Sequence, residues 1–197
     1  MKRLILVLVA SFACAALFGC AHPITMNPDL AGIKGDGSPV INQQVGYHIS
    51  DAARSIEVTT PGGGGDKVRY FPYRDLEPGF YKALGEVFKG VTRVTDPKDV
   101  DTLRRSGVNL LISPEIATAS FSESVLTWPP TQFTIVLTCK VTDADGKLLD
   151  TVKATGDGRA SFDEFKSNFS LAAVRASNDA LARLVKALRE SPAVRKP

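Results

Sequence analysis

The chain has 197 residues, of which 44% are apolar and 23% charged, values that suit one globular domain plus appendages. Its formal net charge of +3 includes Lys2 and Arg3; without them 22 basic residues face 21 acidic ones. That near-neutral balance, with basic residues scattered and no aromatic-interleaved basic stripe, argues against nucleic acid or another polyanion as a partner.

The chain opens with "MKRLILVLVASFACAALFGC". The fifteen residues from Leu4 to Phe18 form an apolar run interrupted only by Ser11. As a helix they rise about 22 Å, short of a hydrocarbon core of roughly 30 Å. The positive start, apolar middle and small residue near the end read as a secretory signal. Its close, Leu17-Phe18-Gly19-Cys20, resembles the lipobox of bacterial lipoproteins, although Phe18 is bulkier than the residue usual there. The resemblance implies that Leu17, Phe18 and Gly19 are read by the signal peptidase. It also implies that Cys20 receives a diacylglyceryl group on sulfur and an acyl chain on its freed amine. Cys14 lacks an aliphatic lead, since Phe12-Ala13 precede it. The alternatives are an uncleaved anchor or a soluble export with an unmodified thiol. Each buried methylene adds about 0.8 kcal/mol, so two or three chains hold a protein to a bilayer where one holds it only marginally. By the same resemblance, Ala21 implies sorting to the outer membrane, on its periplasmic side. After processing only Cys20 and Cys139 remain, so no intramolecular disulfide is expected.

Residues 21–44 mix Pro, Gly, Asn and Asp without a sustained period and read as a lipidated tether. A flexible chain of that length spans about 25–30 Å root-mean-square. The other reading lays "PITMNPDL" along the domain. From Val45, "QVGYHIS" and "SIEVTT" read as strands, "PGGGGD" as a loop and "KVRYFPY" as an extended piece. A helix is predicted over "PGFYKALGEVFKG", with Pro78 in its first turn and Phe80, Leu84, Val87 and Phe88 on one face. "VTRVTD" reads as a strand, and "PKDVDTLRRSG" as a short helix capped by Asp96 and closed by Gly107.

"VNLLISPEIATASFS" is apolar on both faces at its start, which predicts a central strand with a bulge at Pro114. In "TQFTIVLTCKVTD" the residues Phe133, Ile135, Leu137, Cys139 and Val141 share one face, opposite Thr134, Thr138, Lys140 and Thr142. "DADGK" turns the chain into a further strand, "LLDTVKATGDGRA". A long amphipathic helix follows, with Val174, Leu181, Leu184 and Leu188 as its stripe, and Pro192 stops it. The expected fold is α+β, an α/β sandwich: a mixed, mostly antiparallel sheet with helices packed on one face. The expected organisation is a signal peptide over 1–19, a tether over 20–44, one domain over 45–191 and a tail over 192–197.

Chemistry-bearing residues form no catalytic constellation. Cys139 alternates with core residues and reads as a buried, inert thiol. His22 and His48 form no metal-ligand spacing, and His48 reads as a strand residue with a satisfied ring. The glycine run Gly62 to Gly65 lacks phosphate-loop spacing and does not lead into a helix. Glu115, Glu123, Asp157, Asp163 and Glu164 read as surface acids, though a glycosidase-type pair is open on sequence. "SFSESVLTWPPT" carries the chain's one Trp. If that hairpin tip projects, Val125, Leu126 and Trp128 form an apolar partner-binding patch; otherwise Trp128 folds over the core. The aromatics Tyr70, Phe71, Tyr73, Phe80 and Tyr81 read either as a second surface or as packing of the first helix.

The lipobox, the segment "PITMNPDL", the strand "VGYHIS" and the final hairpin-plus-helix together resemble small outer-membrane lipoproteins of the YajG-like type. The layout is also similar to envelope accessory domains such as LpoB and the N-terminal domain of TolB. The resemblance implies a non-enzymatic role, binding or positioning another envelope component, and no cofactor or metal is expected. The leading reading is a scaffold or accessory subunit of an envelope transport or cell-wall assembly, held in outer-membrane lipid beside an envelope protein partner. The other reading is a carrier of a small apolar or glycan ligand between sheet and helices, which requires an apolar pocket of ~300 Å³ or more.

Overall fold

The computed structural model describes residues 21–60, 67–122 and 129–195. In chain order these form β1 (His22–Pro23), β2 (Ile41–Tyr47), α1 (Asp51–Arg54), β3 (Val58–Thr59), β4 (Val68–Tyr70), α2 (Pro72–Gly85) and β5 (Phe88–Arg93). The second half comprises α3 (Val100–Arg105), β6 (Val108–Phe121), β7 (Gln132–Asp143), β8 (Leu148–Arg159), α4 (Phe162–Ser167), α5 (Leu171–Glu190) and α6 (Pro192–Arg195).

The alternation along β7 organises the main sheet. Phe133, Ile135, Leu137, Cys139 and Val141 are each at most 1% exposed, while the residues between them line the other face. The five-stranded sheet has the order β5-β2-β6-β7-β8. Its β6-β7-β8 meander is antiparallel, and β2 is parallel to both neighbours, pairing Val45 with Val91 and with Leu110. The expected α+β architecture is therefore present, with α2 and α5 on the Phe133–Val141 face. The short α3 adds a separate small cluster of Val94, Leu103, Val108 and Leu111. A three-stranded sheet, β1-β4-β3, joins the core through Tyr70, whose ring meets Phe133 edge-on and whose hydroxyl hydrogen-bonds Thr118 at 2.7 Å.

The expected bulge at Pro114 is absent: Pro114 pairs with Cys139 in unbroken register. The reason lies in strand alternation. The Ile112 carbonyl accepts from His48 N–H at 3.2 Å, so Ile112, Pro114 and Ile116 turn their backbone polar groups toward β2. Because β2 ends at Tyr47, no ladder bond is required where proline has no N–H. One step further, the Ile116 N–H donates to the Tyr73 hydroxyl of α2, which covers the opened side of β6.

Residues 21–44 are not a tether. Ile24, Met26 and Ile33 are at most 6% exposed and belong to the core, and 41–44 is already strand. The backbone is fastened along its length: Met26 N–H to the buried Asp75 carboxylate, Asp29 N–H to Asn178, Gly35 N–H to Glu86. Arg189 adds donations to the carbonyls of Ser38, Pro39 and Glu86. Pro28 and Leu181 leave no room for a Cβ at Gly79, so this segment, α2 and α5 meet at a glycine. The C-terminal tail is likewise part of the domain, since Pro192–Arg195 is helical and Val194 is fully buried.

Three local boundaries also move. α2 starts at Pro72, which serves as its first residue, and Pro78 sits inside the helix on its exposed side. β5 begins at Phe88 and includes Gly90. The cap of α3 is Asp99, which accepts from Thr102 N–H at 3.0 Å, in place of Asp96. The helix α4 is an addition, nucleated by a capping box in which Ser161 and Glu164 exchange bonds.

The α5 stripe is built largely of small residues: Ala172, Ala173, Ala176, Ser177 and Ala180 are buried with Leu181, Leu184, Val185 and Leu188, while Val174 is half-buried. Small residues let the helix backbone come down onto β8. A Cβ at Gly156 would lie 2.1 Å from the Ala180 nitrogen, and one at Gly158 would lie 2.0 Å from the Ala172 carbonyl oxygen. The same helix caps the outer edge of β8. Alternation turns the backbone groups of Asp157 and Arg159 away from β7. There the Asp157 N–H donates to the Asp179 carboxylate at 3.0 Å and the Arg159 carbonyl accepts from Arg175 at 2.6 Å. Charged caps of this kind keep a long edge strand from pairing with another chain.

Candidate functional site

Cys20 and its recognition residues Leu17, Phe18 and Gly19 lie outside the described residues, as do Val125, Leu126 and Trp128 of the hairpin tip, Glu123, and Gly62 to Gly65. Their flanks are described. His22 N–H donates to the Lys67 carbonyl at 2.7 Å and Ile24 N–H to the Arg69 carbonyl at 3.0 Å, which seats β1 beside β4. The His22 ring stacks on Phe169 with centroids 4.7 Å apart, and Phe169 meets the buried Phe165 edge-on at 4.9 Å. Thr25 N–H donates to the Ser170 hydroxyl. Strand β1 thus lies two residues along the chain from Cys20. Two extended residues reach about 7 Å, so an anchor at Cys20 leaves almost no stand-off.

The same end carries exposed aromatics. Phe162 is 52% exposed, Phe169 36% and Phe121, the last residue of β6, 57%. Phe121 pairs with Gln132, which pairs with Arg159, and Ala160 N–H donates to the Thr131 carbonyl at 2.8 Å. The β6–β7 connection therefore leaves the sheet beside the start of α4. Pro129 and Pro130 are buried where it returns. The aromatic group read from sequence divides: Tyr70 and Phe80 are core, Tyr73 bonds β6, Phe71 lies 3.8 Å under the Arg74 guanidinium, and Tyr81 is half exposed.

Several of the described titratable groups hold elements of the fold together. Arg54 grips Glu77 through two nitrogens, at 2.6 and 2.7 Å, and the Tyr47 hydroxyl donates to Glu77 at 3.1 Å. That Arg54 bond holds the Glu77 carboxyl below its ordinary range, and burial followed by the Glu77 charge pushes Tyr47 up to about 12. Cys139 is fully buried and burial raises its thiol to about 12, so it is no nucleophile at neutral pH. The His48 ring donates from Nδ1 to the Val94 carbonyl at 2.9 Å. The described acids pair with neighbours: Glu115 with Lys140, Asp157 with Thr134, Asp163 with Lys166 and Glu164 with Arg175. The Arg175 bond lowers Glu164 to about 2. Among the described residues no group of three or more His, Cys, Asp or Glu is arranged to hold a metal ion.

Two larger clefts open at the periphery. One of ≈ 700 Å³ lies at the strand ends between Asn42, Gln43, Asn109, Asp150, Leu149 and Pro192. One of ≈ 410 Å³ lies beside Lys34, Lys186, Arg189 and Arg195. Neither lies between the sheet and α5, where the facing side chains are fully buried. Among the described residues no helix is long and apolar enough to cross a membrane.

The chain matches no protein-family model and no curated protein sequence. Solved structures similar to it include the PelC dodecamer from Paraburkholderia phytofirmans, at 13% identity over 72% of this chain and 92% of that one, with a TM-score of 0.38. Another is a "putative lipoprotein" from Caulobacter crescentus CB15, at 13% identity over 77% of this chain and 93% of that one, with a TM-score of 0.37.

Proposed function

We propose that the protein is an envelope lipoprotein held by acyl chains on Cys20 that serves as a non-enzymatic scaffold or accessory subunit at the periplasmic side of the outer membrane. The observation that carries this reading is the junction of sequence and fold. A lipobox ends at Cys20 and strand pairing begins at His22, so the anchor and the domain behave as one body. Support also comes from the described face between the main sheet and α5, where the facing side chains are buried and neither cleft described above lies. A ligand carrier would need an apolar cavity at such a place.

The test compares wild type with Cys20→Ser in cell fractions, followed by crosslinking in the intact envelope. The wild type should fractionate with the outer membrane and crosslink to a defined envelope protein, and Cys20→Ser should lose both. Membrane retention and lipid labelling of Cys20→Ser would defeat the anchor. Wild type that is lipidated yet captures no protein partner would defeat the scaffold role alone.

A further inference from the structure

The short helix α4 exposes what the core has no use for. Of its two phenylalanines, Phe165 is 2% exposed and fills the core, whereas Phe162 points outward at 52%. The Lys166 ammonium lies 4.9 Å over the Phe162 ring, one helical turn on. Just beyond, Phe169 remains 36% exposed while stacked on His22, the second residue after Cys20. Apolar rings beside a lysine, one of them stacked on a residue only two positions from the proposed acylation site, suit the boundary between headgroups and acyl chains.

We propose that Phe162, Phe169 and Lys166 form a lipid-surface contact that seats this end of the domain on the bilayer and fixes its orientation. The inference rests on the anchor reading above. Position selects the occupant: an acyl-bearing Cys20 lies at the membrane surface, and Phe169 is in ring contact with a residue that can be only about 7 Å away along the chain. The charges here largely cancel, since Lys166 lies 3.0 Å from Asp163 and Glu164 is bound by Arg175. Ring insertion therefore carries the contact, and salt weakens it little.

The experiment uses the full-length lipoprotein reconstituted into phosphatidylethanolamine–phosphatidylglycerol vesicles. A spin label is attached at Asp163→Cys beside Phe162, or at Asp145→Cys in the β7–β8 turn at the far end of the sheet. Cys139 is fully buried, so the introduced thiol reacts. Collisions of the Asp163 label with an aqueous nickel chelate should fall to less than half those of the Asp145 label. Phe162→Asp should restore them while vesicle flotation stays unchanged. Equal accessibility of the two labels in protein that floats overturns the contact and leaves the anchor standing. Shielding that survives Phe162→Asp, or disappears at one chain per vesicle, overturns it in favour of another surface or a second copy. Failure to float, with an unmodified Cys20, overturns the anchor reading and the contact with it.

Discussion

Replacing Gly156 with alanine puts one methyl group where α5 lies directly on β8. That carbon would sit 2.1 Å from the Ala180 nitrogen and 2.4 Å from the Ala176 carbonyl oxygen, against an ordinary contact of at least 3.4 Å. The obstructing atoms are helix backbone, so no side-chain rotation relieves them, and α5 must retreat by about 1.3 Å. A gap of 0.5–1 Å already forfeits a quarter to a half of each dispersion contact, and the retreat would pull Leu181, Leu184 and Leu188 from the sheet together. Overpacking costs roughly 1–3 kcal/mol, and a clash with backbone on both sides places this variant near 3 kcal/mol. For a domain of this size that lowers Tm by about 6–12 °C. Thermal unfolding followed by circular dichroism reads it, with Gly85→Ala as control, because a Cβ there meets nothing within 4 Å. Two results would refute the reasoning: a Tm for Gly156→Ala within 2 °C or so of wild type, against the shift just derived, or recovery on adding Ala176→Gly, which removes no clashing atom.

Asp179→Ala uncovers the Asp157 N–H and should produce concentration-dependent association in analytical ultracentrifugation; a strictly monomeric variant, from a monomeric wild type, would show that β8 needs no cap. Arg189→Ala should cost about 2–3 kcal/mol and raise hydrogen exchange over residues 35–40, and Arg189→Lys should not rescue it, because an ammonium cannot reach three carbonyls as the guanidinium does. Full rescue by lysine would reduce Arg189 to a point charge. Glu77 has a folded pKa depressed below its ordinary 4.5, so its contribution is fully present above that value and is lost as pH falls through the folded pKa. Glu77→Gln should therefore be less stable than wild type at pH 7 by about 1–3 kcal/mol, the difference closing in acid; urea melts that stay parallel from pH 7 to about pH 3 would contradict this.

The parts of the fold legible in the sequence were those with a strong local period. β7 alternates cleanly over twelve residues, and the Asp-Gly turn that follows it holds Gly146 at φ +84. The insertion of β2 between β5 and β6 was not legible, because parallel neighbours far apart in sequence share no turn. The buried N-terminal segment did carry a signal, since Ile24, Met26 and Pro28 alternate and are all buried, but the Pro and Asn around them suggested a linker. Gly156-x-Gly158 facing Ala172, Ala176 and Ala180 was a readable pattern for close helix–strand approach, hidden because alanine does not stand out in a hydrophobic stripe. The exposed rings of Phe162 and Phe169 were not legible as a surface for a different reason. Only the fold brings Phe169 onto the His22 ring, 147 residues earlier in the chain.

The measurement that bears most directly on the account is intact-mass and fragment analysis of the mature N-terminal peptide from purified membranes. The account predicts a chain beginning Cys20-Ala21-His22, with a diacylglyceryl thioether on the sulfur and an acyl amide on the nitrogen. A bare cysteine, or a chain cut at another position, would contradict it.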